Sequence, residues 1–144
     1  MHRTIVVGVD GSDTSDAALA LAQELLHPAG RIVLATVFPR YCGLRRPSSG
    51  YLYVDTLRER GAQLLEQAAL RLDPGVRCER RLLADVSVPR ALHDLAERVE
   101  ADLIVLGPSR HRGADGVASW LLRHGHVRVV AASGPATPAE PVPA

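Results

Sequence analysis

Apolar positions along the chain follow two rhythms. Thr4 to Val9, Arg31 to Val37 and Leu103 to Leu106 are stretches made, apart from Gly8 and Arg31, of apolar or β-branched residues. Such runs mark strands covered on both faces, as in a parallel sheet. Between them the apolar residues recur at helical spacing: Ala18, Leu21, Ala22, Leu25 and Leu26; then Val54, Leu57, Gly61, Leu64, Leu65, Ala68 and Leu72; then Val88, Ala91, Leu92, Leu95, Ala96 and Val99. Each set forms one face of a helix. Ser12 or Asp13 is placed to cap the first helix, with Asp16 in its first turn, and Pro28 and Gly30 stop it. The second helix is expected from about Leu52 to Leu72, ended by Asp73-Pro74-Gly75, and Ser87 caps the third. Val76 to Leu83 reads as a strand studded with charges, which suits a sheet edge. A short helix over Val117 to Arg123 and a last strand over His126 to Ala132 complete the pattern. Residues 38–51 carry two prolines and two glycines with no period and read as a loop.

The resulting order, βαβ, a long loop, then αβαβαβ, predicts an α/β fold: a three-layer, doubly wound parallel sheet with helices on both faces. One domain is expected over residues 1–132. The Pro- and Ala-rich residues 133–144 are expected to be a disordered tail. In such sheets ligands bind beyond the carboxyl ends of the strands, where the strand order reverses. Asp10-Gly11-Ser12, Val37 with the loop after it, and Gly107 to Gly116 all fall at such ends and converge on one crevice.

Composition narrows the chemistry. Aromatic residues are 3% of the chain, so the core is built from Ala, Val, Leu and Ile. With 17 basic against 16 acidic residues there is no basic excess to hold nucleic acid. Every cation other than histidine is Arg, which removes Schiff-base and P-loop lysine mechanisms. Cys42 and Cys78 fit no zinc or redox spacing and read as reduced thiols. No signal-like or membrane-spanning stretch is visible, so a cytoplasmic protein without membrane contact is expected.

Gly107-Pro-Ser-Arg-His-Arg-Gly-Ala-Asp-Gly116 follows the last buried run. A glycine-rich segment after a strand can hold phosphate by aiming backbone N–H groups at it. The segments IVVGVDGSDTSDAALALA, LLADVSVPRALHDLAERVEADLIVLG and LLRHGHVRVVAA, taken in order, resemble the universal stress protein family from about Arg3 to Ala132. The resemblance implies strand order 3-2-1-4-5 and a homodimer, often formed through the last strand. One branch of the family binds ATP and another has lost it. In the ATP branch the residues matching Asp10 and Val37 contact the nucleoside, and the phosphate segment reads Gly, two residues, Gly, nine residues, Gly, then Ser or Thr. The candidate nucleotide-contacting residues are therefore Asp10, Gly11, Ser12, Val37, Gly107, Ser109, Arg110, Gly113 and Gly116.

This chain departs from that pattern. Gly107 matches the first glycine, Arg110 stands at the second, the segment is several residues short, and Asp115-Gly116 occupies the closing position. Arg110 carries a Cβ, which makes a positive φ costly. Asp115 sets an anion where a γ-phosphate would lie, a repulsion on the order of a few kcal/mol in a poorly solvated cleft. Arg110 and Arg112 are the residues able to offset it. The expected protein is a non-catalytic, cytoplasmic stress-response regulator with a degenerate crevice and no required cofactor. It acts through an unidentified protein partner. The alternative is an ATP-binding member that serves as a switch or a slow ATPase.

Other constellations are weaker. Asp10 reads either as a ribose or metal contact or as a cap shared with Ser12. A phospho-receiver would need an acidic cluster and a lysine that the chain lacks, and GxGxxG is absent after the first strand. His124-x-His126 has no third ligand at a persuasive spacing, so no metal site is assigned. No serine has a nucleophile context, and no catalytic residue is assigned. Cys42 lies in a basic stretch where nearby Arg can lower a thiol pKa, as in a redox sensor, but a tolerated loop thiol is the preferred reading. Trp120 is expected to pack over the sheet or at a dimer contact; its other reading is a wall of the crevice.

Overall fold

The structure, a computed structural model, describes residues 2–10, 14–39, 50–85, 87–107 and 117–132. The expected tail 133–144, Cys42 and most of the 38–51 loop lie outside the described residues. Five strands form one sheet in the order β3-β2-β1-β4-β5, with β1 His2–Gly8, β2 Leu26–Pro39, β3 Arg77–Asp85, β4 Leu103–Leu106 and β5 Val129–Ala131. All four strand pairs are parallel. The connecting helices are α1 Thr14–Leu25, α2 Gly50–Leu70, α3 Val88–Arg98 and α4 Val117–His124. The fold class and strand order are those expected.

Alternation along the central strands divides the core into two layers. Ile5, Val7, Ile32, Leu34, Leu103 and Val105 pack with Ala18, Leu19 and Ala22 of α1 and Leu65 and Ala68 of α2. The residues between them, Val6, Val33, Ala35, Ile104 and Leu106, pack with Leu92, Leu95 and Ala96 of α3 and Leu121 of α4. Successive side chains point to opposite faces, so a strand must be apolar at every position to cover both. The charged run in β3 is explained by its place at the sheet edge, where Arg77, Arg80 and Arg81 are exposed.

Several boundaries differ from those expected: β5 is confined to Val129–Ala131, α2 begins at Gly50 inside the expected loop, and β2 extends at both ends. β2 begins at Leu26, directly after α1, and its register against β1 shifts between His2 and Thr4. His27 helps shape this irregular entry by accepting from the amide of Ala29 (2.9 Å). At its other end β2 continues through Phe38 and Pro39, paired with Ala84 and Asp85. Phe38 was expected in the loop. Instead it is buried, with the Arg58 guanidinium 5.7 Å above its ring, so burial and a cation–π contact hold it in the strand.

The two ends of α3 show how local chemistry sets its bounds. Ser87 caps it as expected, its Oγ accepting from the amide of Arg90 (3.3 Å). At the far end Ala101 N donates to Ala96 O (2.8 Å) and Glu100 N to Glu97 O (3.2 Å), the paired bonds of a Schellman motif. The position that normally holds glycine is Glu100, at φ 55°. Glu100→Gly is therefore expected to stabilise the fold by about 0.5–1 kcal/mol, because it removes the Cβ penalty of the left-handed conformation. Urea unfolding with an unchanged m-value is the check.

Candidate functional site

The reversal of strand order lies at β1, between β2 and β4. Gly8 pairs with Ala35 and Val7 with Val105. Asp10 and Val37 thus lie two residues past one rung of the ladder, and Gly107 lies two residues past its neighbour. The topology brings these three predicted residues to the carboxyl ends of adjacent strands. Gly11, Ser12, Ser109, Arg110, Gly113 and Gly116 lie outside the described residues.

Asp10 is held by the start of α1. The Ser15 hydroxyl donates to Asp10 Oδ1 (3.1 Å) and accepts from the Asp10 amide (3.3 Å). Ser15 is 3% exposed, whereas Asp10 faces solvent. A buried hydroxyl that uses both capacities on one neighbour ties the residue after β1 to the first turn of α1 and holds the Asp10 carboxylate there. The sequence has Asp10 share a cap with Ser12, which lies outside the described residues; Ser15 is a partner it does not name. Its signal was faint, since a serine one position inside a helix looks like an ordinary first-turn residue. Val37 is partly buried against the α3 layer.

The segment predicted to face phosphate lies between β4 and α4. β4 ends at Leu106 and α4 begins at Val117, which leaves only residues 107–116 between them. Counted without gaps from Gly107, the third glycine of the ATP-branch pattern would fall at position 120 and the following Ser or Thr at position 121. Those positions are Trp120 and Leu121, both inside α4. Leu121 is 1% exposed in the core layer shared with α3, and Val117 and Trp120 pack against the same layer. Unwinding α4 as far as Leu121 would therefore expose core. The Trp120 ring stacks on His124 (4.5 Å between centroids) and meets His93 edge-on (6.5 Å), in keeping with the packing role expected of it.

Two other features lie away from the crevice. A cavity of about 480 Å³ is lined by Gln23, Leu26, His27, Gly30, Gly75 and Arg77. It opens at the amino ends of β2 and β3, the opposite end of the sheet from Asp10. Cys78 sits on the edge strand β3; desolvation raises its thiol pKa, with Arg80 opposing and Glu79 adding. That shift lowers its thiolate fraction and makes it a poor nucleophile at neutral pH. Among the described residues no helix is long and apolar enough to cross a membrane.

The fold recurs in solved structures. A universal stress protein family member from Burkholderia pseudomallei is 33% identical, with 89% of this chain and 93% of that chain covered at a TM-score of 0.72. A universal stress protein in complex with cAMP is 23% identical over 90% of this chain and 96% of its own, with a TM-score of 0.68. An Arabidopsis thaliana universal stress protein family protein with AMP bound is 17% identical over 96% and 97% of the two chains, with a TM-score of 0.64. No curated protein matches the chain. The model of the universal stress protein family matches residues 1–132, and the chain belongs to that family.

Proposed function

We propose that this protein is a stress-response regulator that works through protein contacts, with a crevice truncated on its phosphate side so that it does not take ATP as the ATP-binding branch does. The observation that carries this reading is the fixed spacing between Leu106 and Val117. A triphosphate must be wrapped by many backbone N–H groups, and the residues that would extend the wrap are committed to the core through Leu121. No side chain near Asp10 or Val37 is assigned as nucleophile or base, and catalysis forms no part of the proposed role.

The nucleoside side of the crevice keeps more of its features. Asp10 is positioned by Ser15, and Val37 offers an apolar surface. The ligands of the two structural neighbours, cAMP and AMP, each carry a single phosphate, which a short segment can meet. This favours a second reading, in which an adenine monophosphate is the crevice's occupant and regulates the protein contacts. In either reading the phosphate segment excludes the triphosphate.

We further propose that the functional unit is a homodimer paired through β5. That strand is an edge of the sheet, and its ladder to β4 runs from Arg128 O, which accepts from Ile104 N (2.8 Å), to Ala132 N, which donates to Leu106 O (2.7 Å). Val129 and Val130 are only partly buried in the single chain, and an apolar edge strand needs cover. β3, the other edge, carries charges instead. Light scattering at micromolar concentration should give the mass of two chains; a monomer would remove the dimer from the proposal.

Thermal denaturation with ATP, ADP and AMP in excess tests the nucleotide reading. Ligand-linked stabilisation follows occupancy, so ATP at 100 micromolar should leave the midpoint unchanged within about 1 °C. A rise with AMP but not ATP would support the monophosphate reading. A rise of several degrees with ATP would overturn the truncated-crevice reading.

A further inference from the structure

We propose that His93, Glu97 and His126 form a binding site for a zinc-type divalent cation, with Asp94 orienting His93. The site lies where α3 meets the end of α4, remote in role from the crevice. His124 and His126 look like a ligand pair in the sequence, but the fold separates them. His124 stacks on Trp120, and its Nδ1 donates to Trp120 O (3.0 Å). His126 instead faces His93, with ring centroids 5.9 Å apart.

Three observations converge on His93. Its side chain is 13% exposed, and its Nε2 is buried with no hydrogen-bond partner among the described residues. A buried ring nitrogen without a partner is costly unless something occupies its lone pair. The nearest acceptor is Glu97 Oε2, one helical turn on, at 3.5 Å and without hydrogen-bond geometry. In a tetrahedral zinc shell with bonds of ~2.1 Å, adjacent ligand atoms stand about 3.4 Å apart. The same bond lengths put two imidazole centroids about 5.3 Å apart when they share one tetrahedral ion, so the His93 and His126 rings, at 5.9 Å, must close slightly to do so. The ligand atoms of His93, Asp94 and Glu97 lie within 4.8 Å of one another, whereas those of His126 stand outside that group, so the His126 ring has to turn inward to complete the shell.

Asp94 Oδ1 stands 3.6 Å from His93 Nδ1. A carboxylate at the second ring nitrogen is how metal-binding histidines are commonly held in the tautomer that leaves Nε2 free. Gly125 makes the approach of His126 possible. A Cβ there would lie 2.8 Å from Leu121 O and 3.2 Å from His93 Cδ2, so a larger residue would push the chain away from His93. His126 is exposed, and its ring can turn toward the ion on the fast timescale of surface side chains. Two histidines and one carboxylate suit zinc, with water as the fourth ligand. A bound ion would tie α3 to the segment leading into β5, and so steady the edge proposed for dimer contacts.

The test is zinc chloride titrated by calorimetry into the full-length, tag-free protein, alongside His126→Ala and Glu97→Gln. Both side chains are exposed enough for the variants to fold. The expected result is one zinc ion per chain in the wild type, with affinity at least tenfold weaker in each variant. Cobalt(II) should give the intense visible absorption of a tetrahedral site, lost in His126→Ala. No binding at millimolar zinc would overturn the proposal, as would wild-type affinity in both variants, which would place the ion elsewhere. Weakening in Glu97→Gln alone would remove His126 and overturn the three-ligand site.

Discussion

Leu121→Ala is expected to destabilise the protein by about 2–5 kcal/mol, the usual cost of emptying a fully buried leucine site. Leu121 is the one residue of α4 that is almost wholly buried among those whose side chains are described, and it packs in the layer with Leu92, Leu95 and Ile104. For a domain of this size the thermal midpoint should fall by roughly 2–4 °C per kcal/mol. Urea unfolding checks the free energy directly. The value bears on function as well as stability, because Leu121 fixes where α4 begins. A cost below about 1 kcal/mol would mean that α4 is loosely seated, and then the phosphate segment could borrow its residues.

Gly30→Ala is the second large effect, expected at about 1–3 kcal/mol of destabilisation. A Cβ at Gly30 would stand 2.6 Å from Arg3 O and 3.1 Å from Arg3 Cα, with Leu26 Cδ1 at 2.8 Å. Leu26 can change rotamer, but the Arg3 backbone cannot. It belongs to β1, whose neighbouring amides are bonded to the Asp102 carboxylate: Arg3 N at 3.1 Å and Thr4 N at 3.3 Å. The strands must part where their register already shifts. Gly61→Ala is the useful contrast. Its Cβ would meet Leu82 Cδ1 at 2.6 Å, but that is the end of a flexible side chain, and alanine is favoured over glycine inside a helix by about 1 kcal/mol. Its net effect should be small. Urea midpoints of the two variants should therefore separate clearly, and equal midpoints would contradict this steric account.

The parts of the fold legible in the sequence were those fixed by periodicity. Val6 and Val7 must both be apolar because one faces α3 and the other α1, so the run itself reveals a strand covered on two sides. Charges in β3 revealed an edge for the same reason. The irregular start of β2 was hidden, because Pro28 and Gly30 read as a break, whereas the chain enters the sheet through a shifted register. Phe38 was hidden because its strand position depends on Arg58, far along the chain.

The site was legible to a similar depth. Strand ends placed Asp10, Val37 and Gly107 together, but Ser15 as the partner of Asp10 depends on the geometry of one turn. His93 was invisible as a metal ligand. On its own helix it belongs to a polar face, and only the packing of α4 brings His126 to it. Arg110 and Asp115 remain features of the sequence, and what the structure adds is the fixed start of the helix that follows them.

The most direct test of the truncated crevice is calorimetric titration of ATP and AMP into protein stripped of any co-purified nucleotide. The account predicts no measurable heat of ATP binding up to about 1 mM, equivalent to less than about 4 kcal/mol of binding free energy, and ATP weaker than AMP if AMP binds at all. ATP bound at micromolar affinity and tighter than AMP would contradict it, because the γ-phosphate would then be contributing favourably where the proposal has it excluded.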